Sequence, residues 1–314
     1  MRLDRFDLNL LIALDALLEE RNVTRAAERL CIGQSAASAA LARLREYFGD
    51  ELLIQVGREL RPTPMARSLA EPVRDTLLRA RATLSLRPDF DPATAQREFT
   101  IAASDYVNHV LLCDVLRRLA VQAPGLAIRL QSLPRDLFEQ FERGSIDLLV
   151  MPQAYASRLD HPQRRLFEDR QVCLVWSGNT AVGDALSAEQ YLELGHVSLS
   201  FQLPGGSAFE EWLFPQHRQQ RRVEVRVDSF SLVPMLLVGT PRIAVIHHRL
   251  AARAAQQLPL RILDAPIELP TLVEMLCWPR HLESDPAHRW LRETVFESAA
   301  AMPTPGGSGA PTSA

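Results

Sequence analysis

The stretch that most constrains this chain is 23–49, VTRAAERLCIGQSAASAALARLREYFG. It holds two short helical patterns joined by a tight break. In the first, Ala26, Ala27 and Leu30 recur at helical spacing, and the Thr24 hydroxyl can accept a bond from an orphan N–H of the first turn. Gly33 breaks the pattern and can serve as N-cap of a second helix. There Ala37, Leu41, Leu44 and Phe48 step by four, three and four, which lines them up as one buried stripe. Another stripe carries Gln34, Ser35, Ser38, Ala39, Ala42 and Arg45. It is small and polar, with one cation, so a second polymer can approach the backbone closely along it. Gln can pair bidentately with an adenine edge in the major groove, and the second helix of a helix-turn-helix reads DNA from such a face. An ordinary pair of surface helices would show the same spacing.

The same residues carry a family resemblance. Ala26-Ala27, Leu30, Gln34, Ser38, Leu41, Leu44 and Phe48-Gly49, continuing into Leu52-Leu53, Arg58 and Thr63, resemble the DNA-binding end of LysR-type transcriptional regulators. Three places depart from the family's pattern. The turn reads Gly33-Gln34-Ser35 in place of Ser-Gln-Pro. The wing reads Leu53-Ile54-Gln55 in place of Phe-x-Arg, which removes one phosphate contact. Arg45 stands where a Glu is common. The last two, with GRELRPTP at 57–64, resemble the nodulation-regulator branch and its relatives that sense aromatic compounds. The resemblance extends over nearly the whole chain.

At 314 residues the chain has room for two or three domains. The net charge of −3 gives no global basic signature. That argues against a non-specific coat on nucleic acid, but not against a reader with a few local cations. All 35 basic residues are Arg, which excludes a Lys Schiff base and a P-loop Lys. The four cysteines, Cys31, Cys113, Cys173 and Cys277, are far apart, with no CxxC and no metal-ligand spacing. Scattered thiols, with acids in MRLDRFDLNL where a secretory leader needs cations, point to the cytoplasm. No apolar run approaches the ~18 residues of a membrane span, so no membrane partner is expected.

Residues 7–21 read as a first helix with Asp7 as N-cap, its Leu10, Leu11, Leu14, Leu17 and Leu18 covering the helix pair that follows. Residues 51–64 read as a two-stranded wing around Gly57-Arg58. Arg58 and Arg61 then face the sugar-phosphate backbone. A long helix over 65–86 carries Leu69, Val73, Leu77, Leu78 and Leu84, with Pro72 as a point where it can kink; it is a spacer or a dimer seam. The resemblance implies dimerisation there, and a dimer can read two half-sites. A polar hinge at 87–98 leads into alternating strands and helices: 99–104, a helix to Gly125, then 126–133 and 137–151. A second such series runs through 171–176 and 224–246, and a strand at 269–278 precedes a closing helix capped by Asp285-Pro286. This indicates a mostly parallel α/β sheet.

The resemblance supplies the arrangement. The fold class is α/β, with an N-terminal winged helix-turn-helix at 1–64, the linker helix at 65–86, the hinge at 87–98, and an effector-binding domain at 99–298. That domain resembles a periplasmic binding protein of two α/β subdomains, I at about 99–169 and 270–298 and II at about 170–269. A Pro/Gly/Ser/Ala-rich tail at 299–314 is expected to be disordered.

In open α/β sheets, ligands bind beyond the C-terminal ends of strands. Those turns hold Ser104, Asp105, Tyr106, Met151, Phe201, Ser229, Phe230 and His247, and the resemblance places the effector cleft there. Tyr106, Phe201 and Phe230 would be apolar walls; Ser104, Ser229 and His247 would be polar anchors. A core Phe or a helix-capping Asp would give the same residues. His247-His248 has no third ligand, so no metal is expected.

The expected function is a sequence-specific DNA-binding regulator gated by a small, aromatic effector. Its DNA contacts are Thr24, Gln34, Ser35, Ser38, Arg45, Arg58 and Arg61. It needs no cofactor, and it is a homodimer through the linker helix, tetrameric by resemblance. Enzyme motifs are absent: no GxGxxG, P-loop, HExxH or GxSxG occurs. Two other readings stay open. One is a metabolite-binding protein or enzyme whose N-terminal helices serve protein contacts. The other is a regulator that senses oxidants through Cys113 or Cys173.

Overall fold

Helix α1 (Asn9–Glu20) exists because its leucines repeat at helical spacing and can be covered on one side. Leu10, Leu14 and Leu17 pack against Ala26, Leu41, Leu44, Leu52 and Leu53 in one core cluster. Each fully buried leucine contributes about 1.5–3 kcal/mol. The helix starts one residue later than expected: Leu8 holds the cap position without a side-chain bond, and Asp7 accepts the Asn9 N–H at 3.1 Å. Helix α2 (Val23–Arg29) corrects the expected role of Thr24 as cap. Asn22 caps it from extended backbone, accepting the N–H groups of Thr24 at 2.9 Å and Arg25 at 3.1 Å. Asn is the stronger cap, so Thr24 falls inside the first turn.

Gly33 precedes α3 (Gln34–Phe48) as expected. Strands β1 (Leu53–Val56) and β2 (Glu59–Pro62) pair antiparallel, with Val56 opposite Glu59. A two-residue hairpin of this kind takes positive φ at its first turn position, and Gly57 supplies φ +65°. Helix α4 (Pro64–Ser85) follows at once and contains Pro72 without ending there.

The computed structural model describes residues 6–57, 59–85, 90–200 and 221–303. It divides into two units, 1–86 and 87–314.

Unit 87–314 is built on two five-stranded sheets. The first contains β3 (Arg97–Ala102), β4 (Leu126–Gln131), β5 (Leu148–Pro152), β6 (Gln163–Asp169) and β12 (Leu272–Cys277), ordered β4-β3-β5-β12-β6. Strands β4, β3 and β5 are parallel, and β12 runs antiparallel to both its neighbours. The second contains β7 (Gln171–Trp176), β8 (Gly195–Leu199), β9 (Arg222–Val227), β10 (Ile243–His247) and β11 (Leu260–Leu263), ordered β11-β7-β10-β8-β9. Only Arg170 separates β6 of the first sheet from β7 of the second, and residues 264–271 return the chain from β11 to β12. The chain thus passes from the first sheet to the second at Arg170 and back again over 264–271.

Strand β3 begins at Arg97, inside the expected hinge, because Arg97 and Glu98 already pair with Leu126 and Ala127 of β4. The closing helix Pro286–Ala300 carries the Asp285 cap, which accepts the His288 N–H at 2.9 Å. It runs past the expected start of the tail at 299, since Ala299 is buried against the core; residues 304–314 lie outside the described residues. No described helix is long and apolar enough to cross a membrane.

Candidate functional site

On α3, Ala37, Leu41 and Leu44 are buried, while Gln34, Ser35, Ser38, Ala39 and Ala42 are exposed. Phe48, expected in the core stripe, is only half-buried against that core. Thr24 is exposed beside the Asn22 cap. Arg61 is exposed on β2, 3.5 Å from Glu59. Arg58 lies outside the described residues. Arg45 differs from the rest of its stripe. Its guanidinium donates to the main-chain carbonyls of Glu51 and Leu53, both at 2.8 Å.

In unit 87–314, β3 lies between β4 and β5, so its C-terminal end is a topological switch point. Ser104 caps the helical segment that starts there, α5 (Asp105–Val107), accepting the Val107 N–H at 3.3 Å. A π turn, Asn108–Leu112, and α6 (Cys113–Gln122) continue it. Strands β9 and β10 of the other sheet end at Ser229-Phe230 and His247.

The structure brings these ends together. Tyr106 lies 4.3 Å from His247 and 5.7 Å from Phe230 between ring centroids, and Phe230 stacks on His247 at 5.2 Å. All three are buried. Asp105 reaches across to the second sheet, accepting the Ser229 hydroxyl at 2.8 Å and the Ser231 N–H at 2.9 Å. Met151 is buried in β5 opposite Met275 of β12. Phe201 follows β8 but lies outside the described residues.

Four residues of this junction carry no motif and were not anticipated. Asp169 accepts the Tyr106 hydroxyl at 2.6 Å, the Arg249 N–H at 3.0 Å and the Arg170 N–H at 2.8 Å. Burial raises its carboxyl above the ordinary range against the pull of these bonds, and burial also raises the Tyr106 phenol well above its ordinary value. The Gln171 side-chain amide lies 2.7 Å from Nδ1 of His247, a hydrogen bond that orients that ring. Burial pushes His247 down to about 3, so it is neutral at physiological pH. Ser231 completes the Asp105 clasp, its hydroxyl 2.9 Å from that of Ser229. Glu274 is buried in β12 beside Pro152 and Phe167, and burial pushes its carboxyl up to about 8. For Asp169 and Gln171 the available signal was the polar run Glu168-Asp169-Arg170-Gln171 directly before the apolar stretch 172–176, where one sheet hands the chain to the other.

Burial pushes the Cys173 thiol up to about 12. It is therefore not a thiolate at neutral pH, and an oxidant sensor at that position lacks its reactive sulfur. Among the described residues no group of three His, Cys, Asp or Glu could hold a metal ion.

Residues 8–67 match the bacterial regulatory helix-turn-helix protein, lysR family, and residues 92–300 match the LysR substrate binding domain. The chain is 42% identical over 305 residues to nodulation protein D 2 of Rhizobium tropici, covering 97% of this chain and 96% of that one. It is 40% identical over 302 residues to nodulation protein D 1 of Bradyrhizobium sp. strain NC92, covering 96% of each. Among solved structures, the probable transcriptional regulator PA0477 from Pseudomonas aeruginosa is 30% identical with TM-score 0.61, covering 94% of this chain and 98% of that one. A full-length OxyR variant from Pseudomonas aeruginosa shares the fold at 15% identity and TM-score 0.61, covering 95% of this chain and 99% of that one. These matches make the protein a regulator and not an enzyme. The chain belongs to the LysR family of bacterial transcriptional regulators, with a DNA-binding helix-turn-helix and an effector-binding domain.

Proposed function

We propose that this regulator reads a two-fold-symmetric operator in the cytoplasm as a homodimer within a tetramer, and that a small aromatic effector gates it. The exposed polar face of α3 carries the DNA reading. Gln34, Ser35 and Ser38 project from a helix whose opposite face is fixed in the core, as base readout in the major groove requires. Thr24, Arg58 and Arg61 are assigned to the sugar-phosphate backbone. Helix α4 supports dimerisation, with Leu84 left 87% exposed near its end. A second apolar patch, Leu232, Met235, Leu236 and Val238, supports a further contact between copies.

The effector is assigned to the junction where Asp105, Tyr106, Ser229, Phe230 and His247 meet. Both halves of the unit contribute to it, so a bound molecule can favour one arrangement of the halves over another. Aromatic walls beside Ser104 and Ser229 suit a planar ring with a hydroxyl substituent.

Selection of random duplex DNA by the purified protein tests the DNA reading. A palindromic motif should emerge, with binding that weakens steeply with salt. Gln34→Ala and Ser38→Ala should each lose about 1–3 kcal/mol of preference for it while remaining folded. Unchanged selectivity in both variants would sink the role given to α3.

A panel of phenols and chlorinated aromatic acids, screened by thermal shift, tests the effector. A ligand present at about 100 times its Kd should add roughly 2.7 kcal/mol of stability. That gain should disappear in Ser229→Ala if the junction is the site.

A further inference from the structure

Arg45 stands where the free stripe of α3 ends, but its side chain turns back into its own unit. Nε donates to the Glu51 carbonyl and Nη2 to the Leu53 carbonyl, both at 2.8 Å, and the Glu51 carboxylate lies 3.2 Å away. Glu51 and Leu53 flank Leu52, where the chain turns from α3 into β1. Leu52 has φ +58°, a region a leucine rarely adopts, and its side chain is fully buried.

That strained turn is held from several sides. The Leu52 N–H donates to Asp50 at 2.6 Å, and the Leu52 carbonyl accepts the Thr63 N–H at 2.9 Å. The same Asp50 oxygen accepts the Thr63 hydroxyl at 2.6 Å. Thr63 in turn accepts the Ala66 N–H at 3.1 Å in the first turn of α4. One knot therefore joins the end of α3, the first wing strand and the start of α4.

We infer that Arg45 is a positioning residue that sets the wing against α3, and so fixes the spacing between base contacts of the helix and backbone contacts of the wing within a half-site. The inference rests on α3 as the recognition helix. The planar guanidinium suits the task, because its diverging donors reach two carbonyls at once. A Lys offers one point of attachment, and a Glu could make neither bond.

The test uses the full chain with Arg45→Ala and Arg45→Lys. Without DNA, amide exchange in 53–62 should rise about tenfold or more in both variants, while α1 keeps its protection. On the selected operator, both should bind about tenfold more weakly. They should also lose hydroxyl-radical protection under the wing, and the slope of log K against log salt should flatten to the same extent in both, because the wing's phosphate contacts loosen. A slope reduced by about one in Arg45→Ala alone, with Arg45→Lys restoring both affinity and slope and wing protection kept in both, would make Arg45 a phosphate contact and overturn the inference. If the parent protein selects no operator, the DNA reading fails by itself. Amide exchange then decides Arg45, and unchanged exchange in the wing overturns it.

Discussion

Asp169→Ala is expected to cost the effector-binding unit about 3–5 kcal/mol and to loosen its two halves. The carboxylate is 1% exposed and accepts from the Tyr106 hydroxyl and from the N–H groups of Arg249 and Arg170. A buried donor left without its acceptor costs about 1–3 kcal/mol; the Tyr106 hydroxyl is such a donor, and the half-buried N–H groups of Arg170 and Arg249 lose the same acceptor and add smaller costs. Tyr106 belongs to the first half, Arg249 to the second and Asp169 to the crossing, so the loss falls on the joint itself. Tyr106→Phe removes one donor and leaves the other two satisfied, so it should cost only about 1–2 kcal/mol. Urea unfolding of the full chain measures both. Equal costs for the two variants would mean that the main-chain donors find other partners, and the joint would not be organised around Asp169.

Glu274→Met should have the opposite sign. The Glu274 carboxyl is buried to 3% exposure, and its Oε2 atom has no hydrogen-bond partner among the described residues. Its pKa rises from 4.5 to about 8 on folding. Between those values the unfolded chain releases a proton that the folded chain keeps, so stability falls as pH rises from 4.5 toward 8. Below pH 4.5 both states are protonated and the penalty vanishes. At pH 7 it amounts to about 3 kcal/mol. Methionine fills a similar volume without the polar group, so the variant's gain should be small at pH 5 and large at pH 8. The buried histidines His196, His247 and His288, pushed down to about 4, 3 and 3, run the other way. They destabilise the fold as pH falls below 6.5, in parent and variant alike, and cancel from the difference. Calorimetry across that pH range measures it. A gain independent of pH would show that packing alone is responsible.

The fold was legible where one physical rule acted alone. Helical spacing located α3, and burial of Ala37, Leu41 and Leu44 follows from it directly. Alternating strands and helices gave the α/β class, and the family resemblance gave the two crossings. Boundaries failed where two rules competed. Thr24 and Asn22 both can cap, and the stronger acceptor won at Asn22. The polar 97–98 segment reads as hinge until β4 is present to pair with it. For the candidate site, Asp105, Tyr106, Ser229, Phe230 and His247 could be picked out from strand ends, and they do converge. What periodicity could not supply is who bonds to whom: Asp169 meets Tyr106 and Gln171 meets His247 across long stretches of chain. Arg45 illustrates the same limit. Its place on the exposed stripe follows from spacing, but its bonds to Glu51 and Leu53 depend on how the chain turns at Leu52.

The position of β12 has a consequence for how the chain is made. Strand β6 has a single neighbour in its sheet, and that neighbour is β12. The ribosome delivers β6 roughly 100 residues before β12. Through that interval a gap one strand wide stays open between β5 and β6, with unpaired main-chain edges on both sides. The second sheet has all its strands before the first can close. Sheet closure is therefore a late, non-local event, slow by topology. A chain truncated before 272 should complete the second half and leave the first open, ready to pair with any extended strand it meets.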